Sequence, residues 1–227
     1  MSIDIAIIDS GVNPSHPHVQ GIAGGLTFAL DAQGVPTAAP GYDDRIGHGT
    51  AIAGIVKEKL LLARIWAVKI FQSDLTASSE LLFAALKWAI DADMKIIHLS
   101  LGTQRKRDRQ PLARLCQSAY RKGIIILAAA RGYNDIIYPA VFKTVIGVYW
   151  DTTCGPDTLI FHPDNPIEFG AWGYPRPLPG LDPKHNFRGN SFAVAYVSVK
   201  VAQVLASNPC ADQEVVMQKL TQAAQVA

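Results

Sequence analysis

Five short runs, at 3–8, 63–70, 95–100, 124–130 and 144–149, are almost continuously apolar and rich in β-branched residues. Runs of this length without polar alternation predict parallel strands buried on both faces. Helical spacing fills the stretches between and after them. The segment 50–59 is one such stretch, and 78–92 carries Leu81, Leu82, Ala85, Leu86, Ala89 and Ile90 on one face. A third, 111–122, opens on Pro111, suited to a first helical turn, and stops before Gly123. Segments 192–206 and 212–224 complete the set. Strands alternating with helices imply an α/β fold with right-handed crossovers. The proline-rich stretch 155–184 has only brief strand signals, at 159–162 and 167–169, and reads as an ordered, irregular excursion. With no internal repeat, the pattern predicts one domain over residues 1–227.

Composition narrows the classes. Hydrophobic residues make up 49% and charged residues 18%, which suits a well-buried globular chain. A net charge of +2 offers no electrostatic reason to bind nucleic acid or a membrane surface, so neither is an expected partner. The longest apolar runs are too short to span a bilayer. The first strand starts at Ile3 with no basic segment or long apolar stretch before it, so no signal peptide is expected. Cys116, Cys154 and Cys210 are an odd set at wide spacing, which fits reduced thiols and a cytoplasmic location.

Three motifs carry chemistry. Asp9-Ser10-Gly11 ends the first strand, Gly47-His48-Gly49-Thr50 opens the first helix, and Gly189-Asn190-Ser191-Phe192-Ala193 opens another helix. A serine hydroxyl is a weak nucleophile that needs a base in reach, and the base needs a third group to fix its tautomer. Asp9 stands at the C-terminal end of a strand, where α/β folds place functional groups. Ser191 stands at a helix N-terminus, where free N–H groups favour a developing oxyanion. Taken singly, each residue also fits a cap, a turn or a core histidine.

The order Asp, His, Ser is that of subtilisin, and the chain resembles the subtilisin-like serine proteases. Gly47-His48-Gly49-Thr50-Ala51-Ile52-Ala53-Gly54 is similar to the family's histidine helix, with Ala51 where a second histidine is usual. Further likeness lies in Ala67-Val68-Lys69-Ile70, in Trp88-Ala89, in Met94 through Gly102, in Tyr138-Pro139-Ala140 and in Val145-Ile146-Gly147-Val148. The resemblance implies a three-layer α/β/α sandwich with a mostly parallel central sheet. It implies a serine endopeptidase working through an acyl-enzyme, with Asp9, His48 and Ser191 catalytic. It also implies that Ser100, Leu101 and Gly102 bind substrate backbone by strand addition. No cofactor is expected; Asp43 and Asp44 lack the oxygen series of a calcium loop.

The chain departs from the pattern after its fifth strand. The family's oxyanion asparagine falls on Arg131-Gly132 in a gapless alignment, and on Asn134 with a two-residue insertion. Asn134 is the favoured donor, and Arg131 is either a wall of the P1 pocket or a solvated turn residue. The short form implies a dedicated processing protease acting on a peptide or protein, such as a modified precursor with a leader segment. Within the family, the likeness is to compact proteases that trim the leader from the small subunit of quinohemoprotein amine dehydrogenase. The basic run Gln104 to Arg109 is a candidate contact for an acidic leader or a solvated loop. A competing reading is a peptide-binding member that does not cut. A phosphoaspartyl enzyme using Asp9 leaves His48 and Ser191 unexplained.

Overall fold

The structure, a computed structural model, describes residues 3–227. Among them is one ten-stranded sheet. Its strands are β1 (Asp4–Asp9), β2 (Gly24–Leu30), β3 (Pro36–Pro40), β4 (Arg64–Lys69), β5 (Ile96–Leu99), β6 (Ile125–Ala129), β7 (Ile146–Trp150), β8 (Leu159–Phe161), β9 (Phe169–Ala171) and β10 (Gln225–Val226). The spatial order is β10-β8-β9-β7-β6-β5-β1-β4-β2-β3. Pairing is parallel except in β2–β3 and β8–β9. The helices are α1 (His48–Lys59), α2 (Ser79–Asp91), α3 (Lys106–Arg121), α4 (Asn190–Ser207) and α5 (Gln213–Ala223).

Residues alternate between two cores. Ile5, Ile7, Ile65, Ala67, Ile125 and Leu127 pack against α1, α4 and α5. Ala6, Ile8, Val68, Ile97, Leu99 and Ile126 pack against α2 and α3. Both faces are therefore covered, which is why these strands read as unbroken apolar runs. The three-layer α/β/α sandwich is the expected one. β1 lies between β4 and β5, so the chain builds outward from it in both directions. The C-terminal end of β1 is thus the switch point at which open α/β sheets place ligands.

Two elements differ from expectation. The β2–β3 hairpin was not foreseen, because Gly, Ala and Pro are poor strand formers. Pairing with β4 and a turn in which Asp31 accepts the Gln33 and Val35 N–H groups hold it in place. The third helix starts at Lys106, so Pro111 lies inside it and the basic run from Lys106 to Arg109 is helical. The reason is Asp108, which is buried and accepts from Ser79 Oγ at 2.5 Å and Thr103 Oγ1 at 2.9 Å. This carboxylate pins the starts of α2 and α3 together.

Leu86, fully buried on α2, should lose about 2–5 kcal/mol of stability as Leu86→Ala in urea unfolding. The exposed Leu61 should change by less than about 0.5 kcal/mol when replaced by alanine.

Candidate active site

Asp9 ends β1 with its carboxylate fully buried. His48 Nδ1 lies 2.8 Å from Oδ1 and 2.9 Å from Oδ2. The Ser10 N–H donates to Oδ1 at 2.7 Å, and Ser10 Oγ donates to it at 3.0 Å. Burial alone would raise the Asp9 pKa. The charge and hydrogen bond of His48, with donors from Ser100 and the Ser10 amide, outweigh it and hold the carboxyl below its ordinary value.

His48 is the first residue of α1. Gly47 precedes it without a side chain, so Asp44 supplies the cap. Asp44 Oδ1 accepts the Ile46 and Gly47 N–H groups, and Oδ2 accepts the Thr50 N–H and hydroxyl. The reading of Asp43 and Asp44 as a bare acidic pair missed this; the signal was an Asp six residues before Thr50. Gly49 is required by close approach, since a Cβ there would stand 2.2 Å from the Gly11 carbonyl oxygen. Phe187 meets the His48 ring edge-on at 5.8 Å and Phe192 tilts against it at 5.1 Å, leaving the imidazole largely shielded.

Ser191 lies in the first turn of α4. Gly189 before it adopts φ 143°, a backbone that favours glycine. Asn190 accepts the Trp150 N–H at 2.8 Å, which ties the start of α4 to β7. The Ser191 hydroxyl donates to the Ser100 carbonyl at 3.2 Å. Ser100, Leu101 and Gly102 lie half-buried just past β5. Thr103 pairs with Tyr138 across two backbone hydrogen bonds, and Ile137 packs so closely on Gly102 that a Cβ would meet it at 2.7 Å.

The Arg131–Asn134 turn follows β6. Arg131 is exposed and forks onto Asp135 at 3.1 and 3.0 Å, and Asn134 lies exposed on the same turn. One further buried group sits close behind. His98 on β5 is fully buried, with Nε2 3.1 Å from Ser100 Oγ and Nδ1 3.4 Å from Ser198 Oγ. Burial pushes its pKa down to about 4, with Asp9 raising it and His48 lowering it. Alone in an apolar strand, a histidine has no signal that separates a core residue from a site residue.

The match to the model of the subtilase family covers residues 2–153, and the chain belongs to that family. Subtilisin E of Bacillus subtilis (strain 168) is 25% identical over 225 residues, covering 92% of this chain and 56% of that protein. The minor extracellular protease Epr of the same organism is 31% identical over 159 residues, covering 65% of this chain and 23% of that protein. The thermostable alkaline protease of Halalkalibacterium halodurans is 27% identical and covered over 61% of its length. The chain thus spans less than two thirds of each of these relatives. Two solved structures share the fold. Sphericase superposes with a TM-score of 0.71 at 24% identity, covering 97% of this chain and 82% of that one. A lanthipeptide protease gives 0.71 at 18% identity, covering 94% and 77%.

Gly49→Ala should push α1 away from β1, lowering the melting temperature and breaking the Asp9–His48 pairing, with thermal unfolding and His48 NMR shifts as readouts. A second expectation concerns acid. The unfolded chain protonates His98 near the ordinary value of 6.5, the folded chain only near 4. This stabilising contribution is whole above pH 6.5 and is lost as pH falls toward 4, amounting to about 3 kcal/mol. Chemical denaturation at pH 7 and pH 4 should show a smaller acid loss in His98→Gln than in the wild type.

Proposed function

We propose that this chain is a serine endopeptidase, with Ser191 as nucleophile, His48 as general base and then acid, and Asp9 as orienting carboxylate. The observation that carries the reading is the buried Asp9–His48 pair at 2.8 Å, set at the C-terminal edge of the sheet beside the first turn of α4. Asp9 keeps the proton on His48 Nδ1 and stabilises the imidazolium. Attack requires the Ser191 hydroxyl to leave the Ser100 carbonyl and donate to His48 Nε2. Ser191 Oγ then bonds to the scissile carbonyl carbon and its proton passes to His48. The oxyanion develops against the N–H groups at the start of α4. His48 returns the proton to the leaving amine, and water hydrolyses the acyl-enzyme by the reverse transfers. In this reading Ser100, Leu101 and Gly102 carry the extended substrate, Arg131 borders it, and Asn134 becomes an oxyanion donor only if its turn closes on the substrate.

The substrate in this proposal is a peptide or protein cut once, as in removal of a leader from a precursor. The fold likeness to a lanthipeptide protease supports that class. The cysteines, all free among the described residues, support a cytoplasmic setting. The Ser191–Ser100 hydrogen bond favours a second reading, a member that binds peptide without cutting.

A fluorophosphonate probe separates the two: labelling that disappears in Ser191→Ala is expected, and an unlabelled native protein would sink the enzyme reading. Asp9→Ala, His48→Ala and Ser191→Ala should each lower kcat/KM for a cleaved peptide by about 10³-fold or more, without additive loss when combined. Wild-type rates in His48→Ala would remove His48 from the mechanism.

A further inference from the structure

A cavity of about 800 Å³ opens between the C-terminal end of α1, the first half of α4 and the irregular chain from Trp172 to Arg188. That volume lies within the roughly 300–1,000 Å³ of ligand pockets. None of Asp9, His48, Ser191 or Ser100 to Gly102 lines it. Its wall is aromatic: Tyr174 meets Trp172 at 4.7 Å and the Trp150 ring edge-on at 5.2 Å. Gly173 lets these rings close up, since a Cβ there would stand 2.2 Å from the Trp150 ring. The Gly173 carbonyl accepts the Gly189 N–H at 2.8 Å, which ties this wall to the start of α4.

The charge of the lining is one-sided. Lys59, Arg176, Lys184 and Arg188 stand there against one carboxylate, Glu58. Arg176 pairs with Glu58 at 3.3 Å, Lys59 with Asp157 at 3.3 Å and Lys184 with Asp182 at 2.9 Å. Arg188 is exposed and has no carboxylate at ion-pair distance among the described residues. Tyr196 also lines the cavity; it is only 7% exposed, and its hydroxyl has no hydrogen-bond partner among the described residues. Burial, helped by the charges of Glu58 and Asp157, pushes its pKa up to about 12, so the group is a neutral O–H donor. An unpaired donor on a largely buried residue suits an acceptor brought by a ligand.

We propose that this cavity is an exosite for a segment of the substrate in which an aromatic side chain stands beside a carboxylate side chain. The aromatic ring packs on Trp172 and Tyr174, and the carboxylate accepts from Arg188 and the Tyr196 hydroxyl. The cationic lining disfavours a basic segment, and a wall of tryptophan and tyrosine disfavours a purely polar one. Glu58 lies ten residues along α1 from His48, and Tyr196 five residues along α4 from Ser191. These are about 15 and 8 Å of helix. An extended chain covers 15 Å in about five residues, so one peptide reaches both the nucleophile and the cavity. The inference rests on the endopeptidase reading, which makes the bound chain a substrate.

Binding is measured on Ser191→Ala, which keeps every residue of the cavity and cannot consume the probe. The probes are acetyl-Gly-Glu-Phe-Gly-amide and its Gln-Phe and Glu-Ala counterparts, read by calorimetry and tryptophan fluorescence. The Glu-Phe peptide should bind, and either change should weaken it about tenfold or more. Adding Arg188→Gln should weaken the Glu-Phe peptide about tenfold and leave the Gln-Phe peptide unchanged. Because Arg188 is exposed, this variant tests the contact without disturbing the core. No binding of the Glu-Phe peptide at millimolar concentration, or the same binding with Arg188→Gln, would overturn the proposal. So would 3-phenylpropionate binding as tightly as the peptide, which would mark a small-molecule site. In wild-type kinetics, a Glu-Phe segment about five residues from the scissile bond should lower KM about tenfold with kcat unchanged. Arg188→Gln should remove that gain, and a KM indifferent to the segment ends the exosite. If the wild type shows no Ser191-dependent hydrolysis, the triad reading fails separately, and peptide binding by Ser191→Ala still decides the cavity.

Discussion

A carboxylate without solvent is the constraint around which this molecule is arranged. Asp9 is fully buried, and a buried charge is tolerated only when protein donors replace water. Those donors come from separate parts of the chain: the Ser10 amide and hydroxyl after β1 and the His48 ring from α1. Satisfying Asp9 therefore requires β1 and α1 to be assembled together. The sheet is as much the support of one ion as the ion is a product of the sheet.

The same logic governs other polar residues at the ends of elements. Asp44 caps α1 and so sets the height of His48. Asn190 binds β7 and sets the start of α4, where Ser191 sits. Asp108 joins the beginnings of α2 and α3 on the opposite face. Each satisfies orphan N–H or hydroxyl groups at an element's end, where helices leave donors unpaired. Together they fix the starts of α1, α2, α3 and α4 against the sheet.

Much of the fold was legible because it rests on local pattern. The buried parallel strands and the helices packed on them have the β-branched runs and helical spacing that two covered faces demand. The β2–β3 hairpin was not legible, since its Gly, Ala and Pro residues form strands only through pairing with β4. The run from Lys106 to Arg109 looked like a solvated loop because three of its four residues are basic; the fourth, Asp108, is the buried one. At the site, the turns that present Asp9, His48 and Ser191 were legible. The Arg131–Asp135 pairing was not, because the conformation of an exposed turn depends on contacts outside its own sequence.

The sequence by itself determined the layer order, the family and the candidate triplet, since apolar periodicity and glycine-bounded motifs are local properties of the chain. Only the tertiary structure decided which polar groups meet. That Asp9 and His48 touch, that the Ser191 hydroxyl rests on Ser100, and that His98 lies between Ser198 and Ser100 depend on contacts spanning 39, 91 and 100 residues. Hydrogen bonding acts over about 3 Å and at defined angles, so partners this far apart in sequence are selected by the fold and leave no periodic trace in the chain.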